Sequence, residues 1–188
     1  MRDDETLRAD ARRNRDAILT AARKVLASRG QLVPLSEIAA EAGVGRATLQ
    51  RRFATREELI LELIRQNMDL LEELADDLDG VDDALVRLLT ATAQTIADGQ
   101  AFVDFFYRPE ISIAYRREFA SRLKKLFTPA LERGQRAGLL RADLDSDDVV
   151  ILADMLVGSL GHHTSLDDDV SYLVDRTLAL VLHSIRTT

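Results

Sequence analysis

Two short apolar repeats on either side of Gly43-Val44-Gly45 constrain this chain more than any other feature. Ile38, Ala39 and Ala42 precede the glycines, and Leu49 and Phe53 follow them. Both sets are spaced so that they share one face of a helix turning every 3.6 residues. Pro34 suits the first position of the earlier helix and Gly43 its end. Helices this short have little stability of their own, so they need a packing partner. Ile18, Ala21, Ala22, Val25 and Leu26 supply one, predicting a first helix from Asp10 to Ser28 before Gly30. The small Ala39 and the turn glycine let the two short helices cross closely, which predicts a helix-turn-helix. Its opposite side carries Arg46, Gln50 and Arg51 and is free to enter a DNA major groove.

The rest of the chain also reads as helix. Only 3 prolines and 9 glycines interrupt 188 residues, and β-branched or aromatic residues never alternate cleanly. Thr55 and Glu58 form a T-x-x-E capping box that opens a fourth helix running through Leu59, Leu63 and Ile64 toward Leu74. Further helices are expected over Val81–Asp98, Gln100–Tyr107, Ile111–Ala137, Ser146–His162 and Asp169–Ile185. The expectation is therefore an all-α chain of about nine helices, with a helix-turn-helix domain over 1–55 and a second domain over 56–188, joined by the continuous fourth helix.

The net charge of −7 argues against a nucleic-acid partner until its distribution is considered. From Arg12 to Arg56 there are ten Lys or Arg against three acids, whereas from Leu61 onward 23 acids face 13 basic residues. A basic N-terminal part joined to an acidic remainder implies two jobs. The chain has no cysteine, which excludes disulfides and thiolate metal sites and suits a reducing compartment. The acidic first residues are unlike a secretory signal, and no apolar run reaches a membrane span; the longest, Leu152 to Leu160, is broken by Asp154. A cytoplasmic protein with no membrane partner is expected.

The segments AILTAARKVLASRG and SEIAAEAGVGRATLQRRFATREELILELI, from Ala17 to Ile64, resemble the N-terminal region of the TetR family of transcriptional regulators. The resemblance implies a ligand-responsive, homodimeric DNA-binding regulator, a repressor released from a two-fold operator by a small-molecule effector. Carried onto this sequence, it gives Arg46 and Ala47 the base-facing start of the recognition helix. Ser36, Thr48, Gln50, Arg51 and Arg52 fall where the family contacts backbone or adjacent bases. Arg56 falls where a lysine usually meets phosphate. Arg46 can hydrogen-bond a guanine edge with two donors, while Ala47 offers only apolar contact. The sequence departs from the family at Gln50, where tyrosine is usual, at Pro34-Leu35, where a hydroxyl commonly opens the second helix, and at Gly45, often a serine. The absence of tyrosine at position 50 and the overall acidity carry the alternative reading, a helical protein-interaction or ligand-binding module with a degenerate helix-turn-helix.

In the C-terminal two-thirds, Phe102, Phe105, Phe106, Tyr115, Phe119 and Phe127, with Met155, could line a cavity for an apolar effector, although ordinary core packing explains many such residues. The last two helices are apolar over more than one stripe. Val149, Leu152, Leu156 and Leu160 on one, with Val174, Leu178, Val181 and Ile185 on the other, are therefore expected to form a dimer interface. Adjacent His162 and His163 point about 100° apart on a helix, which does not favour a shared metal. No P-loop, nucleophile motif or cofactor motif is present, so neither an enzyme nor a cofactor is expected.

Overall fold

The computed structural model describes residues 2–29, 33–98, 112–161 and 170–187. Among them are eight helices: α1 (Arg2–Arg29), α2 (Leu35–Glu41), α3 (Arg46–Arg52), α4 (Arg56–Asp77), α5 (Ala84–Asp98), α6 (Ile113–Arg136), α7 (Ser146–Gly161) and α8 (Val170–Ile185). The expected helix over Gln100–Tyr107 lies outside the described residues. The first helix starts at Arg2 rather than Asp10, because the apolar repeat that predicts it begins only at Ile18.

The chain divides into two compact units, Met1–Gln66 and Asn67–Thr188, so the division falls inside α4 rather than at its start. In the first unit, α1 packs on α2 and α2 on α3. Its interior holds Ile18, Leu19, Ala22 and Leu26 from α1, Ile38 and Ala39 from α2, Leu49 from α3, and Leu59, Ile60, Leu63 and Ile64 from α4. The first half of α4 thus contributes to this core.

In the second unit, α5 packs against α6, α7 and α8, and α7 lies against both α6 and α8. Leu85, Leu88 and Leu89 of α5 meet Phe127 and Leu131 of α6, Val149 and Leu156 of α7, and Val174, Val181 and Ile185 of α8 in one cluster. After α6 the chain reverses at Gly138, whose φ is +71°. Leu140 then forms an isolated antiparallel bridge with Arg186. The Arg141 amide donates to the Ile185 carbonyl at 2.9 Å and its guanidinium to the Ser184 carbonyl at 3.0 Å, closing the end of α8. Asp145 opens α7: its carboxylate accepts from the amides of Asp147 and Asp148 at 2.8 and 3.0 Å. These two bonds hold its pKa below the usual carboxylate range.

Candidate nucleic-acid interface

The turn between α2 and α3 is built on Gly43, whose φ of +66° lies in the left-handed region. With this conformation the Gly43 amide reaches the Ala40 carbonyl at 3.1 Å and the Val44 amide the Ala39 carbonyl at 3.0 Å, closing α2. The chain re-enters helix at Gly45, whose carbonyl accepts from Thr48 and Leu49, while no side chain caps α3. The family's frequent serine would have supplied that cap. Leu49 and Phe53 are buried, as their spacing predicts.

The remaining side of α3 is polar and open. Arg46, Ala47, Gln50, Arg51 and Arg52 are exposed, and Thr48 is half-buried. Arg51 donates to the Thr48 hydroxyl at 3.3 Å. Ser36 is exposed in the first turn of α2.

The other basic residues of this unit are largely engaged within it. Arg15 pairs with Glu62, and Arg23 donates to Gln66 at 3.1 Å, so two α1 arginines tie that helix to α4. Burial pulls the Arg23 guanidinium below its ordinary pKa. Lys24 pairs with Glu41 at 2.5 Å, tying α1 to α2. Arg56 is half-buried and donates to the Val33 carbonyl, so part of its donor set is already used by the fold. The basic excess read from the sequence is therefore partly internal stapling. Its outward-facing share on α3 is Arg46, Arg51 and Arg52.

The capping box forms at the start of α4. The Thr55 hydroxyl accepts from the Glu58 amide at 3.1 Å, and the Glu58 carboxylate accepts from the Ala54 amide at 2.8 Å. The return bond lands one residue before Thr55, which draws Ala54 into the cap.

In the second unit, Phe102, Phe105 and Phe106 lie outside the described residues. Tyr115 and Phe119 are half-buried on α6, and Phe127 is in the core with no exposure. Met155 is 55% exposed on α7. The expected interface residues need a larger correction. Val149, Leu156, Val174, Val181 and Ile185 are buried in the chain's own core and have no surface for a partner. Leu152 and Leu178 are half-buried against it. Leu160 belongs to α7 by position in the chain. The apolar surplus on these helices is carried instead by Ile151 (57%), Met155 (55%), Tyr172 (66%) and Leu180 (55%). The signal was available in the spacing, because Val149, Ala153 and Leu156 already complete an inward stripe and leave Ile151 and Met155 facing out.

Among the described residues there is no cluster of His, Cys, Asp or Glu that could hold a metal, and no helix long and apolar enough to cross a membrane. Residues 18–63 match the family model for bacterial regulatory proteins of the tetR family. The HTH-type transcriptional repressor LfrR of Mycolicibacterium smegmatis is 38% identical over 102 residues, or 53% of this chain and 52% of LfrR. The chain thus spans about half the length of this relative in the match. A TetR transcription regulatory protein from Mycobacterium vanbaalenii superimposes with a TM-score of 0.65 at 27% identity, covering 96% of this chain and 99% of that one. The ketosteroid transcriptional regulator KstR2 of Mycobacterium tuberculosis shares the fold, with a TM-score of 0.61 at 24% identity over 93% of this chain and 95% of its own. With these similarities added to the glycine-centred turn and the capped fourth helix, residues 18–63 are similar to the N-terminal region of the tetR family of bacterial regulatory proteins, and the chain shares the fold of tetR-type regulators.

Proposed function

We propose that the protein is a homodimeric, DNA-binding transcriptional repressor whose hold on a two-fold operator is weakened by a small-molecule effector. The observation that carries this reading is the division of labour on α3. Leu49 is buried on one side, while Arg46, Gln50, Arg51 and Arg52 are exposed on the other. In this reading Arg46 and Ala47 face bases, and Ser36, Thr48, Gln50, Arg51 and Arg52 meet backbone or neighbouring bases. Arg56 keeps its place beside the phosphate track through the donors that Val33 leaves unused. The relative LfrR is itself a repressor, which favours that sign of regulation.

Two recognition helices about 34 Å apart would read successive major grooves of a symmetric site. That requires a dimer, and the outward face of α7 and α8 supports one: Ile151, Met155, Tyr172 and Leu180 together expose more apolar side chain than an isolated surface needs. Tyr115 and Phe119 of α6, with the aromatic segment from Phe102 to Phe106, are the residues proposed to meet the effector. The effector acts through its unequal affinity for two arrangements of the dimer.

The test is retention of a DNA fragment from upstream of the protein's own gene. Tight retention at one site, with log K falling linearly against log salt, supports the reading. Weak binding to all sequences that vanishes at modest salt supports the degenerate helix-turn-helix instead. The subunit reading is tested separately by Ile151→Asp with Tyr172→Asp, which is expected to give a folded monomer in sedimentation.

A further inference from the structure

The second unit contains a cleft of about 470 Å³ along α4 and α6, within the range of about 300–1,000 Å³ usual for small-molecule sites. Its two walls carry opposite charge. Glu72 and Asp76 lie one turn apart on α4 and Asp79 in the turn that follows it, while Lys125 and Arg133 stand on the facing side of α6. Between them the floor is apolar and made of short or core residues, among them Ala75, Ala130 and Leu88, which leave the space unfilled.

The walls are drawn together at each end. Arg122 donates to Glu72 at 2.8 and 2.9 Å and to Asp69 at 2.7 Å, and Arg133 pairs with Asp79 at 2.6 Å. These acceptors, Glu72 before Asp69, raise the Arg122 pKa above its ordinary value. The middle is different. Asp76 and Lys125 both line the cleft, are both exposed, and make no ion pair or side-chain hydrogen bond with another described residue.

We infer that the α4–α6 cleft binds a small zwitterion with an apolar body, of the kind presented by a free apolar amino acid. The ligand's ammonium meets Asp76 and its carboxylate meets Lys125, completing across the gap the charge pairing that the fold makes directly at both ends. Its apolar part lies on Ala75, Ala130 and Leu88, against the ring of Pro129. A purely cationic ligand would leave Lys125 without a partner and a purely anionic one would leave Asp76 without one, so each is disfavoured. This assignment concerns the second unit alone and stands independently of the DNA-binding reading.

Calorimetric titration of the full chain tests it, using L-phenylalanine and L-leucine as probes, with phenethylamine and 3-phenylpropionate as the forms lacking one charge. At least one amino acid is expected to bind saturably with one site per chain. Each singly charged analogue of phenylalanine should then bind at least about tenfold more weakly than its parent, or, if leucine alone binds, isoamylamine and 4-methylpentanoate more weakly than leucine. Asp76→Asn and Lys125→Gln should each weaken binding by a similar factor with an unchanged melting temperature, since both side chains are exposed. Absence of saturable binding by both amino acids overturns the inference. So does an analogue that binds as well as its parent, or binding that neither substitution alters.

Discussion

Replacing Gly43 isolates the conformational requirement of the helix-turn-helix from its packing. The residue has φ +66°, and a Cβ built there meets nothing within 4 Å, so a side chain adds no steric clash. An L-residue in the left-handed region pays about 1–2 kcal/mol. Removing glycine also restricts the unfolded chain, which returns about 0.4–1 kcal/mol. Gly43→Ala should therefore destabilise the protein by about 1 kcal/mol, and Gly43→Asn by less, because asparagine tolerates this conformation. Urea unfolding followed by far-ultraviolet circular dichroism measures both, with the slope expected to stay constant while the midpoint falls. An alanine variant as stable as the parent would show that the turn does not need the positive φ. An asparagine variant no better than alanine would show that the cost has another origin. Retention of operator DNA should fall alongside stability, since the hydrogen bonds made by Gly43 and Val44 set the entry into α3.

Gly134 is the opposite case: its Cβ would lie 2.5 Å from Leu140 Cδ1 and 3.3 Å from the Asp82 carbonyl, with Leu140 buried and held by its bridge to Arg186. Overpacking of about 1–3 kcal/mol outweighs a helix-propensity gain of about 1 kcal/mol, so Gly134→Ala should lower the melting temperature; an increase would mean that Leu140 repacks freely. On DNA, Arg46→Ala should relax choice at one or two base pairs at a cost of about 1–3 kcal/mol, whereas Arg51→Ala or Arg52→Ala should weaken all sequences alike. Selection from a random pool distinguishes them, and equal losses on specific and random DNA for all three would remove the assigned roles. Asp154 stands between Ile151 and Met155 on the outer side of α7, and burial raises its pKa. The folded state thus holds this proton more tightly than the unfolded chain, and its contribution to stability weakens as pH rises through the folded-state value. Asp154→Asn should stabilise the protein at neutral pH and make no difference where carboxylates are protonated. Asp143 has the reverse sign: Arg141 depresses its pKa, so its contribution is present above the usual carboxylate range and fades as pH falls through the depressed value.

The helices and the turn could be read from sequence because their determinants are local. Leu49 and Phe53 share a face by spacing alone, Gly43 supplies a conformation few other residues adopt, and Thr55 and Glu58 cap a helix end within three positions. Arg15, Arg23 and Lys24 were legible as charge but not as ties, because Glu62, Gln66 and Glu41 approach them only after the three helices pack. The cleft between α4 and α6 was hidden for the same reason. Glu72, Asp76, Lys125 and Arg133 look like ordinary solvated helix residues until the two helices bring the acidic and basic walls together.

The burial of the residues expected at a dimer interface follows from a different limit. On α7 and α8 nearly every turn offers apolar residues in more than one direction, so hydrophobicity alone cannot tell the side that fills the chain's own core from the side left over. Packing decides it: Val149 and Leu156 meet α5 and α8 residues in the central cluster, and Val174, Val181 and Ile185 do the same from α8. Among the described residues, the large apolar side chains left exposed are Ile151 and Met155 on one helix and Tyr172 and Leu180 on the other. The inward set carries folding stability and the outward set carries the proposed association. Truncating Val149 should therefore lower the melting temperature at every protein concentration, while truncating Ile151 should act through the concentration dependence alone.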